Sequence, residues 1–530
     1  METQNCIFEN DVNELDVDNS KIEEQPSESN ETSNFDAGRA KKNVLVSVIF
    51  KIVLLLLSLL ARRFLIKYVG NDANGLNSLY TSVIGFLGIA ELGIGTAIVY
   101  CMYEPIIKGD VSKVRQLYTL FKKVYVVIGL IVLVAGLILL FFMPYLSKGY
   151  DDNKTIYITY LLSLVAVIVT YFYSAKMSLI NAYKNNYITT LFTSIGLVIQ
   201  YVLQIVVLVI TKSFISYCVC KIVASLIQLL LFSLYNKNKD ITSVPEKIDK
   251  QLSNKVVKNV KAMFLHKIGD VIFGNVDSIV ISSIIGVVIL GYYSNYLTFL
   301  IAMNEVLKLF IVPLTAVIGH MGIKANNEEK KSFFIFFYSL NFILGIVFYL
   351  GYYAVCNDAI DIFFGEGLLL DKDFIIILVI TYFIQFMRQS ASVFKDSFGL
   401  FYKDRFLALL SALANAGLSV WFAYEFGIYG VLIATIVVDL LMYHIVEPFV
   451  LFKYGFEEKP IKYYIMNYCL ILFFVAELYL FSRINIEIDN SFIHLVVCGA
   501  LSVGFNIIPV AIVCLRRSFR NKIKLFIKRG

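Results

Sequence analysis

The sequence predicts an all-α polytopic membrane protein: about fourteen transmembrane helices, two pseudo-symmetric six-helix lobes followed by two extra helices. Three observations carry this. The 530-residue chain is 58% hydrophobic with mean hydropathy +0.73, far too apolar for a soluble protein of that length. Apolar runs of about 20 residues, each enough to cross a bilayer core, recur from Val44 to Cys514. The window 51–80 also reappears without a gap at 267–296, an offset of 216, with Lys51 matching Lys267, Gly70 matching Gly286, Gly75 matching Gly291, Ser78 matching Ser294 and Tyr80 matching Tyr296.

Residues 1–40 carry eleven acids against Lys21 and Arg39, and are too polar to bury a core. They read as a disordered acidic cytoplasmic tail and lack the basic start and apolar run of a signal peptide. Residues 41–235 form the N-lobe, with spans near 44–61, 79–103, 124–146, 156–175, 188–210 and 214–234. Residues 236–262, rich in Lys and holding Pro245, form a cytoplasmic inter-lobe linker suited to anionic headgroups. Residues 263–455 form the C-lobe, with spans near 263–285, 287–318, 333–355, 374–394, 405–424 and 428–450. A second echo supports the pairing: Tyr183-Lys184-Asn185 precedes the fifth helix and Tyr402-Lys403-Asp404 the eleventh. Helices 13 and 14 occupy 456–515, and 516–530 is a basic cytoplasmic tail.

Lys and Arg accumulate in alternate loops, from Lys108 and Lys113 through the linker to Lys324, Lys403, Lys453 and the last fifteen residues. The other side holds only Arg62, Arg63, Lys67, Lys148, Lys154, Lys212, Lys372 and Arg483, so both termini are expected in the cytoplasm. The basic balance thus follows from topology and does not argue for nucleic acid.

The motifs exclude several chemistries. The chain has no phosphate loop ending in Gly-Lys-Ser/Thr, no HExxH and no nucleophile elbow, so no catalytic residues, cofactor or metal are assigned. His444, Glu447 and Asp439 share a helix, but one His beside two acids reads as structural. The eight cysteines read as packing residues.

Charges deep in apolar runs are more telling, because each costs about 2.5–3.5 kcal/mol to insert unless it meets a polar cavity. Lys51, Lys267 and Arg388, with Gln385 and Gln389 beside the last, are the candidate substrate-binding residues. Three cations around one chamber suit an anionic ligand, with Arg supplying a fork and Lys a point charge. Lys267, Asp270, Gly274 and Asp277 fall on one helix face. Lys267 and Asp270 are able to pair, which leaves Asp277 as an ion ligand or proton carrier. Asp270, Asp277 and Glu91 are the ion-coupling candidates, although Glu91 equally suits a buried structural hydrogen bond. Glu305 and Lys308 are expected to pair.

The segments YVGNDANGLNSLY (68–80), LGIAELGIGTA (87–97) and LGYYSNY (290–296) resemble bacterial oligosaccharide flippases of the Wzx type, within the multidrug/oligosaccharidyl-lipid/polysaccharide exporter superfamily. That resemblance implies two six-helix bundles around a central cationic cavity. It also implies export of undecaprenyl-diphosphate-linked oligosaccharide repeat units for capsule, O-antigen or exopolysaccharide. Its partners would be that lipid-linked substrate, membrane lipid, and a polysaccharide polymerase or synthesis complex. Two alternatives stay open: a multidrug/organic cation antiporter of the same superfamily, and a membrane glycosyltransferase or polymerase, for which only the acidic segment 356–373 offers material. A scaffold for a synthesis complex, with the acidic tail as its handle, is a third.

Overall fold

The computed structural model describes residues 50–235 except 92 and 93, then 239–242, 246, 269, and 271–515 except 487. The acidic tail, nearly all of the linker and the basic tail lie outside the described residues. The chain divides into two compact units, 1–51 and 52–530. Of the first only Phe50 and Lys51 are described, both helical. All other described residues belong to the second.

Every long element is an α-helix, and the described residues contain no strand. Hydrocarbon offers the backbone no hydrogen-bond partner, so each segment must satisfy its own N–H and C=O groups. Helical residues 52–68 (α1) precede α2 (Asn71–Leu87), a tight turn Gly88–Glu91 and α3 (Ile94–Ile107). Then come α4 (Val111–Leu140), α5 (Asn153–Ala182), α6 (Asn186–Thr211) and α7 (Phe214–Leu234). The second series is α8 (Val271–Ile285), α9 (Val287–Lys324), α10 (Asn327–Phe364), α11 (Lys372–Ser397), α12 (Leu407–Val438) and α13 (His444–Leu451). Two further helices follow, α14 (Ile461–Ser482) and α15 (Ser491–Leu515).

Local chemistry sets the ends. Asp110, Asp152 and Asp371 accept the first free amides of α4, α5 and α11, and Asn326 with Glu329 forms a capping box on α10. Gly70 (φ +129°) and Gly286 (φ +148°) end α1 and α8 in a backbone region open chiefly to glycine. These two positions match in the sequence repeat. Gly427 (φ +61°) folds α12 back on itself, and Gly430 then packs against the Phe422 carbonyl.

Ten described helices are long and apolar enough to cross a membrane, one of them covering 407–456. Three expected spans are absent from those ten. The run 44–61 begins outside the described residues, 79–103 is broken after Leu87, and 263–285 is described helically only from Val271. Helix α5 packs on α4 and α7, α10 on α11 and α15, and α2 along α9. Helix α14 touches α10 and α11.

Candidate functional site

The contact between α2 and α9 organises the centre. Gly75 lets α2 approach the Val287 carbonyl, and Gly291 lets α9 approach Asn71. Asn71 Nδ2 donates to Val288 O at 3.0 Å. Buried Asn74 Nδ2 reaches Asn295 Oδ1 at 3.0 Å, Gly291 O at 3.1 Å and Ser294 Oγ at 3.2 Å. The network is incomplete, since Asn74 Oδ1 and Asn295 Nδ2 are buried without a partner. Such unmet polar groups cost about 1–3 kcal/mol each, which suits a seam that has to part.

Arg62 closes this seam. It was read as an outward loop residue, because the first span was expected to end at 61. The helix instead runs to 68 and turns the guanidinium inward. Its Nη1 donates to Ser294 O at 2.7 Å, Ser294 Oγ at 3.2 Å and Asn295 Oδ1 at 3.3 Å. Lys221 on α7 is the second inward cation, donating to Asn77 Oδ1 at 2.7 Å and Ser163 Oγ at 3.3 Å. Both flank Tyr217: Lys221 Nζ lies 5.8 Å from its ring centre, and Arg62 lies within electrostatic reach of Tyr217 and Tyr201. No carboxylate pairs with either cation among the described residues. Sequence reasoning missed Lys221, although a lone Lys in mid-span is the same signal that singled out Lys51.

Arg388 behaves otherwise. It was expected to offer a free fork to substrate, but the fork is filled by Glu447: Nε donates to Oε2 at 2.9 Å and Nη2 to Oε1 at 3.1 Å. The guanidinium stacks 3.3 Å from the Tyr443 ring centre. Lys395 joins at 3.0 Å from Glu447 and also binds Asp404. The missing acid at i±3 and i±4 of its own helix is supplied by α13. His444, in the same helix, is bonded through Nε2 to Ile384 O and through Nδ1 to Asn467.

Gln385 and Gln389 are brought together on the adjoining face of α11. They line a cavity of about 260 Å³ with Asn304, Tyr349 and the Glu305–Lys308 pair, whose atoms are 2.7 Å apart. Asp277 is elsewhere, on α8. Thr435 Oγ1 donates to its Oδ2 at 3.3 Å and accepts from Asn415 at 3.0 Å, while Asp277 Oδ1 and Asn415 Oδ1 are buried without a partner. Asp439 is fully buried nearby. A cluster of side-chain oxygens that includes the carboxylates of Asp277 and Asp439 is able to hold a proton or a small monovalent ion. Glu91 lines a third cavity, in the first helix series. Lys51 is exposed and belongs to the smaller unit, while Lys267 and Asp270 lie outside the described residues.

Comparison with known proteins fits these features. A family model described as "Polysaccharide biosynthesis protein" matches residues 69–318. The fold is that of "Lipid II flippase MurJ, inward closed conformation", at 16% identity and TM-score 0.66, covering 89% of this chain and 99% of that one. It is also that of "Inward-facing conformation of a multidrug resistance MATE family transporter of the MOP superfamily", at 13% identity and TM-score 0.60, covering 82% and 99%. No curated protein sequence matches. The chain is therefore an all-α multi-pass membrane protein with the fold of flippases and transporters, and its resemblance to polysaccharide biosynthesis proteins holds over the matched span.

Proposed function

We propose that the protein is a flippase moving undecaprenyl-diphosphate-linked oligosaccharide repeat units from the inner to the outer leaflet of the bacterial cytoplasmic membrane, for capsule, O-antigen or exopolysaccharide assembly. One observation carries this reading: Arg62 and Lys221 are inward cations without a carboxylate partner among the described residues, each held by neutral groups only. Each costs several kcal/mol at membrane depth unless an anion visits it. A diphosphate would exchange their neutral partners, Ser294, Asn295, Asn77 and Ser163, for charge-assisted bonds.

In this reading 41–235 and 263–455 act as two lobes, both termini face the cytoplasm, and the lipid tail stays in the bilayer. Lys51 and Lys267 are further cations of the loading path. Arg388 holds α11 to α13 and leaves Gln385 and Gln389 to face the C-lobe cavity. Parting of the α2–α9 seam opens the other side. Asp277 or Asp270 couples the cycle to an ion gradient. An organic-cation antiporter fits less well, because Arg62 and Lys221 would repel its substrate.

Binding to the full chain in lipid nanodiscs tests this. Undecaprenyl diphosphate should be retained over undecaprenol, and Arg62→Gln or Lys221→Met should each weaken that preference by about tenfold, the equivalent of one charged contact. Equal retention of undecaprenol and undecaprenyl diphosphate by the parent protein would end the proposal.

A further inference from the structure

The cavity containing Glu91 belongs neither to the seam nor to the Arg62–Lys221 pair. It measures about 630 Å³, within the ~300–1,000 Å³ typical of small-ligand sites. It lies between α3, α4 and α5, toward the end of the bundle marked by the turns at Lys108 and Lys184. This is the basic end, expected to face the cytoplasm.

Its walls are of three kinds. Tyr100, Tyr103 and Tyr125 supply aromatic rings, with Tyr125 buried and the other two exposed. Ser174, Ser178, Asn181 and Asn186 supply neutral hydrogen-bonding groups. Glu91 supplies a carboxylate, half-buried where the helix is interrupted between α2 and α3, with no hydrogen bond or ion pair among the described residues. Gly95 keeps the floor open, since a Cβ there would stand 3.2 Å from the Tyr125 hydroxyl. The Tyr125–Ser178 contact is long, at 3.5 Å, so both hydroxyls are available to a ligand.

We propose that this chamber is a sugar subsite selecting a ring with a nitrogen substituent, an amino or acylamino sugar, on the lipid-linked substrate. The proposal rests on the flippase reading and deepens it. Tyrosine faces stack on the apolar face of a sugar ring, Ser and Asn groups exchange hydrogen bonds with its hydroxyls, and Glu91 accepts from the nitrogen-bound hydrogen. A sugar lacking that nitrogen leaves the carboxylate under-satisfied, and a site built to bond a polar group discriminates strongly against its absence. A simple hydrophobic cation would use Glu91 and the rings but not the remaining capacity of the neutral groups, the Asn181 amide N–H pair and the Ser174 lone pairs, whose other bonds go to Thr189 and Thr170.

The test uses the full chain carrying Met177→Cys at the lining, in nanodiscs, treated with a charged maleimide, with labelling followed at residue 177 alone by peptide mass spectrometry because the chain has eight cysteines of its own. The disaccharide of N-acetylglucosamine at millimolar concentration should slow labelling about twofold or more, as half-saturation or better requires, whereas lactose should not. Glu91→Ala and, separately, Gly95→Ala should abolish the protection while insertion and elution profile stay parental. Gly95→Ala favours the helix, so a folding defect does not explain its effect. Equal protection by lactose, or protection that survives both substitutions, overturns the proposal. Protection by tetraphenylphosphonium but by neither sugar overturns it in favour of a cation site. Undecaprenyl diphosphate retention, measured on the same preparation, separates the two readings: its loss alone sinks the flippase assignment, and loss of sugar protection alone sinks only the chamber.

Discussion

Gly75 and Gly291 face each other's helices reciprocally. Gly75 packs on Val287 and Gly291 on Asn71, and both the glycines and their targets are 216 residues apart. A contact in which position i meets j′ while i′ meets j is what a two-fold relation between repeats generates. The axis of the internal repeat therefore runs through this crossing. Because the Cβ of Gly291 would lie 2.5 Å from the Asn71 carbonyl oxygen, and that of Gly75 closer still to Val287, neither site accepts even alanine without helix separation. Gly75→Ala and Gly291→Ala should each lower stability by about 1–3 kcal/mol, the usual cost of overpacking. Thermal unfolding in detergent checks this. If only one of the two is harmful, the contact is not reciprocal in energy.

Much of this was legible in the sequence. The repeat gave Gly70 and Gly286 their shared role as breaks, and hydropathy located most spans. What stayed hidden was which charges meet across helices. Arg388 has no acid at i±3 or i±4 of its own helix, and no periodicity reveals that Glu447 of α13 lies against it. The expected first span stops at 61, before Arg62 and Arg63, whereas the helix continues to 68 and carries both. Asn74, at the heart of the seam, carries no charge and so gave no signal.

The Arg388–Glu447 pair yields a test that separates structure from binding. Glu447 is almost fully buried, and removing one partner strands a charge at about 3–5 kcal/mol. Arg388→Met and Glu447→Leu should each unfold the protein at markedly lower temperature. The double variant should recover a large part of that loss, since Lys395 keeps Asp404. A double variant that is stable and still flips substrate assigns Arg388 to the scaffold. One that is stable but inactive returns it to the binding site.

Tyr80 and Tyr296 match in the repeat, and both are fully buried. Their hydroxyls differ in what they leave behind. Tyr80 donates to Ile156 O at 3.1 Å and meets Thr159 at 3.0 Å, yet Thr159 also bonds Thr155 O. Tyr296 donates to Asn357 at 2.6 Å and accepts from the Leu370 amide at 3.0 Å. Tyr296→Phe strands two groups and should cost about 1–3 kcal/mol, whereas Tyr80→Phe should cost about 0.5–1.5. Urea or thermal unfolding of the two variants, side by side, gives the order.

The last expectation concerns Asp277, whose Oδ1 is buried without a partner while Oδ2 accepts from Thr435. A buried carboxylate lacking a counter-charge is expensive, and a neutral isostere removes that cost. Asp277→Asn still accepts from Thr435 and changes no volume. It should therefore raise the unfolding temperature by about 1 °C for each kcal/mol gained, because the shift shrinks as the chain lengthens. If Asp277 serves ion coupling, the same variant should lose any stabilisation that the parent gains from added sodium or from lower pH, and its transport should no longer respond to an imposed gradient. Stabilisation with unaltered gradient response would show a buried acid with no part in the cycle. Destabilisation would show that the carboxylate is paired in a way the neutral amide does not reproduce, and would remove the basis of the cation pocket.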